Sequence, residues 1–203
     1  MTKMHDIIWF DELDSTNDEA ARHIHDLDNL SVLSAGSQIS GRGQRSNVWM
    51  SEPGKNLTFS VVLKYGEPGH FRSDRLPSVM ARDQKLISDI VSSSVLEFLS
   101  TYGINAEIKF PNDILVDGRK ICGILIEHSV RGLYLVHSIV GIGLNINQRN
   151  FDATLPNPTS MALIMDERKD PAPVEPDLNS CLEEFMNIFI RALQQRLQLD
   201  SQI

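Results

Sequence analysis

The sequence predicts an α+β fold built on one mixed, mainly antiparallel sheet packed by helices, and three observations carry that prediction. Roughly seven short runs rich in β-branched and aromatic residues read as strands, and they do not alternate strictly with helices. Asp117-Gly118 and Arg131-Gly132 are tight-turn pairs between apolar runs, so neighbouring strands fold back on one another. Apolar residues recur at three-and-four spacing over 79–101 and again over 177–199, well separated from the hairpins.

Each element follows in order. His5 to Glu12 reads as a first strand. Asp14-Ser15-Thr16-Asn17 then begins a helix with Ala20, Ala21, Ile24 and Leu27 on one side. One such polar residue serves as an N-cap; four in a row leave room for ligand contacts as well. Leu30 to Ser37 is a second strand, and it leads into the segment from Gln38 to Trp49. That segment holds two glycines and two arginines, with no acid until Glu52. Such a composition suits a mobile loop rather than a core, either simply solvated or gripping a phosphate or carboxylate. Trp49 reads as core or as a stacking platform.

Leu57 to Lys64 is a strand, 67–78 a loop, and Val79 to Thr101 a helix stopped by Gly103. Ala106 to Phe110 is a strand that breaks at Pro111-Asn112-Asp113. Ile121 to His128 and Leu133 to Val140 form a hairpin. The small, apolar and polar residues of 141–147 suit a strand edge beneath a ligand. Ser160 to Glu167 is a short helix. The Pro-rich stretch 170–176 is a link, and the helix from about Asp177 to Leu199 carries Leu178, Leu182, Phe185, Phe189, Leu193 and Leu197 as a core stripe. One core is expected, and hence a single domain over 1–203.

The bulk numbers exclude several classes. The chain has 203 residues, 41% hydrophobic and 23% charged, with a formal net charge of −8. That balance argues against coating nucleic acid by charge. No stretch has the length of a membrane span, and the N-terminus has no signal-peptide apolar region. Cys122 and Cys181 lie in apolar runs without metal or disulfide spacing, which points to a reducing cytoplasm and no metal site.

Five segments, in order, resemble the catalytic domain of the biotin protein ligases (biotin–acetyl-CoA-carboxylase ligases). They are Asp14 to Asn17; Gly41-Arg42-Gly43 with Trp49; Lys109-Phe110-Pro111-Asn112-Asp113; Lys120 to Glu127; and Gly141 to Asn147, with a further match at Thr159-Ser160. The resemblance implies a fold like that of class II aminoacyl-tRNA synthetases. It also implies a two-step reaction in which biotin and ATP give biotinyl-5′-AMP and pyrophosphate. A lysine of a biotin carboxyl carrier protein then takes the biotinyl group.

Carried over by position, the resemblance makes Lys109 and Arg42 catalytic. Ser15, Thr16, Asn17, Gln38, Gly41, Arg42, Lys109 and Gly123 would bind biotin. Arg45, Trp49, Asn112, Lys120, Asn145 and Asn147 would bind the nucleotide, with Mg2+ arriving on its phosphates. Fixed positive charge between two anions is what such a reaction requires. A homodimer is a further expectation; DNA and membrane are not expected partners. The loop reads Gly-Arg-Gly-Gln-Arg-Ser-Asn from Gly41 to Asn47 where relatives often read Gly-Arg-Gly-Arg-Arg-Gly-Arg, and Phe110 stands where tryptophan is usual. The sequence carries no evident helix-turn-helix before the first strand and no evident SH3-like barrel after the last helix. Two other readings stay open: a lipoate ligase or lipoyl or octanoyl transferase of the same superfamily, and a biotin-binding module without catalysis.

Overall fold

The structure, a computed structural model, describes residues 6–168 and 175–197. Its strands are β1 (Ile7–Leu13), β2 (Val32–Gln38), β3 (Leu57–Lys64), β4 (Glu107–Lys109), β5 (Asp113–Val116), β6 (Arg119–Arg131) and β7 (Tyr134–Leu144). Its helices are α1 (Thr16–Arg22), α2 (Lys85–Thr101), α3 (Met161–Glu167) and α4 (Leu178–Arg196). Among the described residues the strands form one sheet in the order β1-β2-β3-β7-β6-β5-β4. Only β1 and β2 run parallel; every other neighbour is antiparallel. The α+β expectation is met.

Strand periodicity divides the two faces of this sheet. Along β3, Leu57, Phe59, Val61 and Leu63 belong to the main core with α2, α3 and α4, as do Val140, Ile142 and Leu144 of β7. Residues between them must point the other way. There Val62 and Ile139 join Leu33, Ala20 and Leu27 in a second, smaller cluster under α1. The stripe on α4 is core, as its spacing predicts: Leu182, Phe185, Phe189 and Leu193 are buried, and Phe185 meets Phe59 edge-on at 5.4 Å.

Several boundaries differ from the sequence reading, each for a tertiary reason. Helix α2 begins at Lys85, not near Val79, because Val79 and Met80 pair with the start of β7. Leu135 N–H donates to Val79 O at 2.9 Å, and Ala81 N–H donates to Leu133 O at 2.8 Å. Pairing to a strand overrides local helical periodicity. Helix α1 stops at Arg22, leaving Ala21 exposed, while Ile24 and Leu27 reach the small cluster from beyond the helix. Residues 141–144 are not a strand edge; they finish β7, which lies at the centre of the sheet. His5, residues 170–174 of the Pro-rich link and residues 198–199 of the last helix lie outside the described residues.

Candidate ligand site beneath the arginine loop

On the face away from α2 and α4, alternation brings three glycines together. Gly123 of β6 stands opposite Gly143 of β7, and Leu125 opposite Gly141; Thr58 and Ser60 of β3 continue the two rows. Where side chains would project, the sheet has a trough. Two neighbours lie in it. The Asn17 side chain covers Gly141, and the Trp49 indole covers Gly143 and Gly123, where an added Cβ would come within 3.0 Å of the ring. These glycines are needed for close approach, not for backbone freedom.

The N-terminus of α1 supplies the polar end. The Ser15 hydroxyl caps the helix, accepting from Asp18 N–H. Gln38, at the end of β2, accepts from Thr16 N–H at 2.8 Å through Oε1. Ser60 Oγ lies 2.8 Å from Thr16 Oγ1 and donates to Asn17 Oδ1 at 2.6 Å. Asn17 Nδ2 in turn donates to Glu127 Oε2 at 2.8 Å and to Leu125 O at 3.4 Å. Ser15, Thr16 and Asn17 are all buried, so these bonds satisfy groups that burial would otherwise penalise.

The arginine loop folds over this floor. Trp49 N–H donates to Gly41 O at 2.8 Å, and Gly43 N–H to Asn47 O at 2.7 Å, which closes the loop on itself. An added Cβ at Gly41 would strike the Trp49 carbonyl, so this position serves the loop's own closure. Arg45 takes a left-handed φ of 54°, unusual for a residue with a side chain. Arg42 spans two carboxylates: Nη1 is 2.5 Å from Asp18 Oδ1 and Nη2 is 2.7 Å from Glu127 Oε1. Hydrogen bonding to Glu127 holds its guanidinium even more firmly charged than usual.

The third wall comes from β5 and the start of β6. Lys120 Nζ lies 2.7 Å from Asp113 Oδ1 and 5.7 Å from the centroid of the Trp49 ring. Asn112 is tied to β6 by exchange with Ile124: its Nδ2 donates to Ile124 O at 3.1 Å, and Ile124 N–H donates to Asn112 O at 2.9 Å. Together these elements enclose a cavity of about 190 Å³. Arg42, Arg45 and Lys120 line it against a single acid, Asp113. Its charge suits an anion, with hydroxyls and amides at the α1 end.

Of the residues singled out in the sequence, Ser15, Thr16, Asn17, Gln38, Arg42, Arg45, Trp49, Asn112, Lys120 and Gly123 meet around this cavity. Four do not line it. Lys109 is exposed on β4, the outermost strand of the sheet, opposite Asp113. Gly41 sits behind the loop. Asn145 and Asn147 are buried and bind backbone: Asn145 Nδ2 donates to Thr159 O at 2.9 Å, and Asn147 Nδ2 to Pro176 O at 3.0 Å. Their Oδ1 atoms are buried without a hydrogen-bond partner among the described residues, as is Trp49 Nε1. Asn145 also bears on Lys120 indirectly, because Thr159 N–H donates to Lys120 O and Lys120 N–H to Asn157 O. Gly123 does clear space, but the group filling that space here is Trp49.

Sequence reasoning put 141–147 beneath a ligand but gave no site role to Gly141, Gly143, Asp113, Asp18 or Glu127. The two glycines had a readable signal, since positions two apart on a strand share a face. Asp18 and Glu127 had none, because their common partner Arg42 lies 24 and 85 residues away along the chain. Among the described residues no three His, Cys, Asp or Glu side chains gather to hold a metal ion, and no helix is long and apolar enough to cross a membrane.

The fold and site define an α+β domain with a ligand cavity set over the glycine-floored central strands of its sheet. Residues 9–145 match the model of the biotin/lipoate A/B protein ligase family, and the chain belongs to that family. It is 29% identical over 187 residues to the bifunctional ligase/repressor BirA of Bacillus subtilis, covering 88% of this chain and 53% of the relative. It is 32% identical over 133 residues to the biotin–[acetyl-CoA-carboxylase] ligase of Paracoccus denitrificans, covering 66% and 51%. The chain thus spans about half the length of these curated relatives. Its fold matches the biotin protein ligase of Aquifex aeolicus solved with biotin and ATP, at a TM-score of 0.73 and 23% identity, over 98% of this chain and 78% of that one.

Proposed function

We propose that this chain is the catalytic part of an ATP-dependent biotin protein ligase. The biotin carboxylate oxygen attacks the α-phosphorus of ATP, the bond to the β-phosphate oxygen breaks, and pyrophosphate leaves. The ε-amine of an acceptor lysine on a biotin carboxyl carrier protein then attacks the acyl carbon. AMP departs, and the amine loses its proton. The relatives named as biotin ligases support this reading, and so does the chemistry of the cavity.

The observation that carries the proposal is a cavity with donors and acceptors at one end and cations at the other. A ureido ring offers one carbonyl and two N–H groups, which Ser15, Thr16, Asn17 and Gln38 match in kind. Two anions must meet before the first step, and Arg45 and Lys120, the latter shared with Asp113, supply positive charge beside the place where negative charge develops. We keep the catalytic lysine role on Lys109, which stands opposite Asp113 in the row that runs on through Gly123 and Gly143, with Lys120 in the cavity lining beside it. Asp113, the only acid in the lining, is already paired with Lys120. Magnesium therefore enters as part of the nucleotide substrate, held mainly by phosphate oxygens.

Protein, biotin, ATP and magnesium with a biotin carrier domain, read by intact mass spectrometry, test the reading. Biotinylation of one acceptor lysine with pyrophosphate release is expected. Because the family model covers lipoate enzymes as well, lipoate is run in parallel. Lipoylation without biotinylation would overturn the assignment, as would biotin binding with no ATP-dependent pyrophosphate.

A further inference from the structure

We propose that Glu127 is a positioning residue that couples the cavity floor to the loop above it, because its one carboxylate holds Asn17 on one side and Arg42 on the other. Period two along β6 places Glu127 on the trough face, two residues beyond Leu125. Its Oε2 accepts from Asn17 Nδ2 at 2.8 Å and from Arg42 Nη1 at 3.3 Å, and its Oε1 accepts from Arg42 Nη2 at 2.7 Å. Asp18 also binds Arg42, yet no hydrogen bond joins it to the Asn17 side chain. Among the described residues only the Glu127 side chain hydrogen-bonds the side chains of both.

The residue type matters. Both oxygens receive donors, so the site requires a group that accepts at each end. A neutral amide would turn its own N–H toward either Asn17 or Arg42. Asn17 has no slack to follow a moving carboxylate, since its Oδ1 is held by Ser60 and its side chain lies against Gly141. The clasp is also suited to opening. Arg42 and Glu127 keep 42% and 37% of their side-chain surface exposed, and ion pairs that wet are weak. A loop that must admit and release ligand needs a latch of that strength. A ligand that orders Asn17 thereby fixes Glu127, and through it the loop.

The first test requires no ligand. Trp9 and Trp49 are the only tryptophans, so a Trp9→Phe background makes Trp49 the sole reporter of whether the loop lies in the trough. In that background Glu127→Gln is expected to raise acrylamide quenching of Trp49 by about two- to fivefold, with an unchanged melting temperature. Arg42→Gln, which also gives up Asp18, should open the loop at least as far, and the double variant should be no more open than Arg42→Gln, because the Arg42–Glu127 contact is already lost there. Equal shielding of Trp49 in parent and Glu127→Gln, or additive effects in the double, would overturn the proposal. If the Glu127 variant does not fold, Arg42→Gln compared with Asp18→Asn carries the test: greater quenching in Arg42→Gln is expected, and equal quenching in the two would overturn the proposal.

The floor side is read with biotin and rests on the function proposed above. Glu127→Ala, which also releases Asn17, should weaken biotin binding several-fold beyond Glu127→Gln; equal affinities would overturn the coupling. Failure of the parent to bind biotin would strike the proposed function, while Trp49 quenching would still decide the clasp.

Discussion

The two faces of the sheet are built on opposite rules. Toward α2 and α4, alternate positions of β3 and β7 carry Phe59, Val61, Val140, Ile142 and Leu144, and the fold is held by filling space. Toward the arginine loop, the intervening positions carry Gly141, Gly143 and Ser60, and the site exists because space is left. The same two strands thus hold the core with one set of side chains and the cavity with the absence of another. The difference teaches that damage to one face should appear in stability and damage to the other in chemistry.

The largest effect should come from hollowing the packed face. Phe185→Ala removes a ring that meets Phe59 at 5.4 Å and Phe189 at 5.9 Å, and should cost about 3–5 kcal/mol of unfolding free energy. A melting temperature lower by roughly 6–20 °C would register that loss. Residual folded protein should keep its ligand affinity; a matched loss of affinity would blur the division between the faces.

Next comes the charged wall. Lys120→Ala should slow pyrophosphate release by about 10²–10³-fold, the scale for removing one preorganised stabilising group. Its melting temperature should hold. Lys109→Ala, opposite Asp113 in the same row of the sheet, should slow the same step by at least as much. An unchanged single-turnover rate in the Lys109 variant would confine the lysine role to Lys120.

A smaller loss should follow filling the trough. Gly143→Ala puts a Cβ where the Trp49 indole lies, so the ring must move. Titration of biotin should show affinity reduced by roughly tenfold, with Trp49 fluorescence shifted to longer wavelength, if the indole seat and the cavity form one unit. Unchanged emission would mean that the ring does not depend on the glycine.

The smallest effect is pH-dependent and lies on the packed face, where His128 stands opposite Ser138 two residues beyond Ile126 and Val140. Burial pushes His128 below its ordinary value of 6.5, and its Nδ1 lies 2.7 Å from Ser138 Oγ. A histidine held neutral binds fewer protons folded than unfolded. Its contribution is therefore complete above the unfolded value and drains away as pH falls through the folded one. Melting temperatures of the parent and His128→Gln, compared from about pH 7.5 to about pH 5, should show a shallower fall in the variant. Parallel curves would assign the acid sensitivity elsewhere, beginning with His137, which burial shifts in the same direction.

Much of this architecture is written locally. The run 57–64 is strand from end to end, Asp117-Gly118 does turn with left-handed φ at both residues, and the spacing of Leu182, Phe185, Phe189 and Leu193 marks the buried side of α4. Each follows from short-range rules: alternation, turn geometry and helical period. The start of α2 was not legible, since Val79 and Met80 obey a partner more than fifty residues away. The list of cavity residues was legible as residue types in order, with Lys109 given the catalytic role and Lys120 a nucleotide contact, but where each stands in space was not. Lys109 precedes Pro111-Asn112-Asp113 and Lys120 follows the Asp117-Gly118 turn, and only strand pairing shows that both stand beside Asp113, one on the outermost strand and the other against Trp49.

The sequence by itself determined that one sheet would carry an apolar face and that a glycine- and arginine-bearing loop would stand near it, because periodicity and turn chemistry act over a few residues. Tertiary structure alone decided which atoms meet. It put Gly123 opposite Gly143, laid Trp49 into the gap, and gave Arg42 to Asp18 and Glu127. Those choices depend on register and on charges brought together across the chain, and neither is encoded in any short stretch of residues.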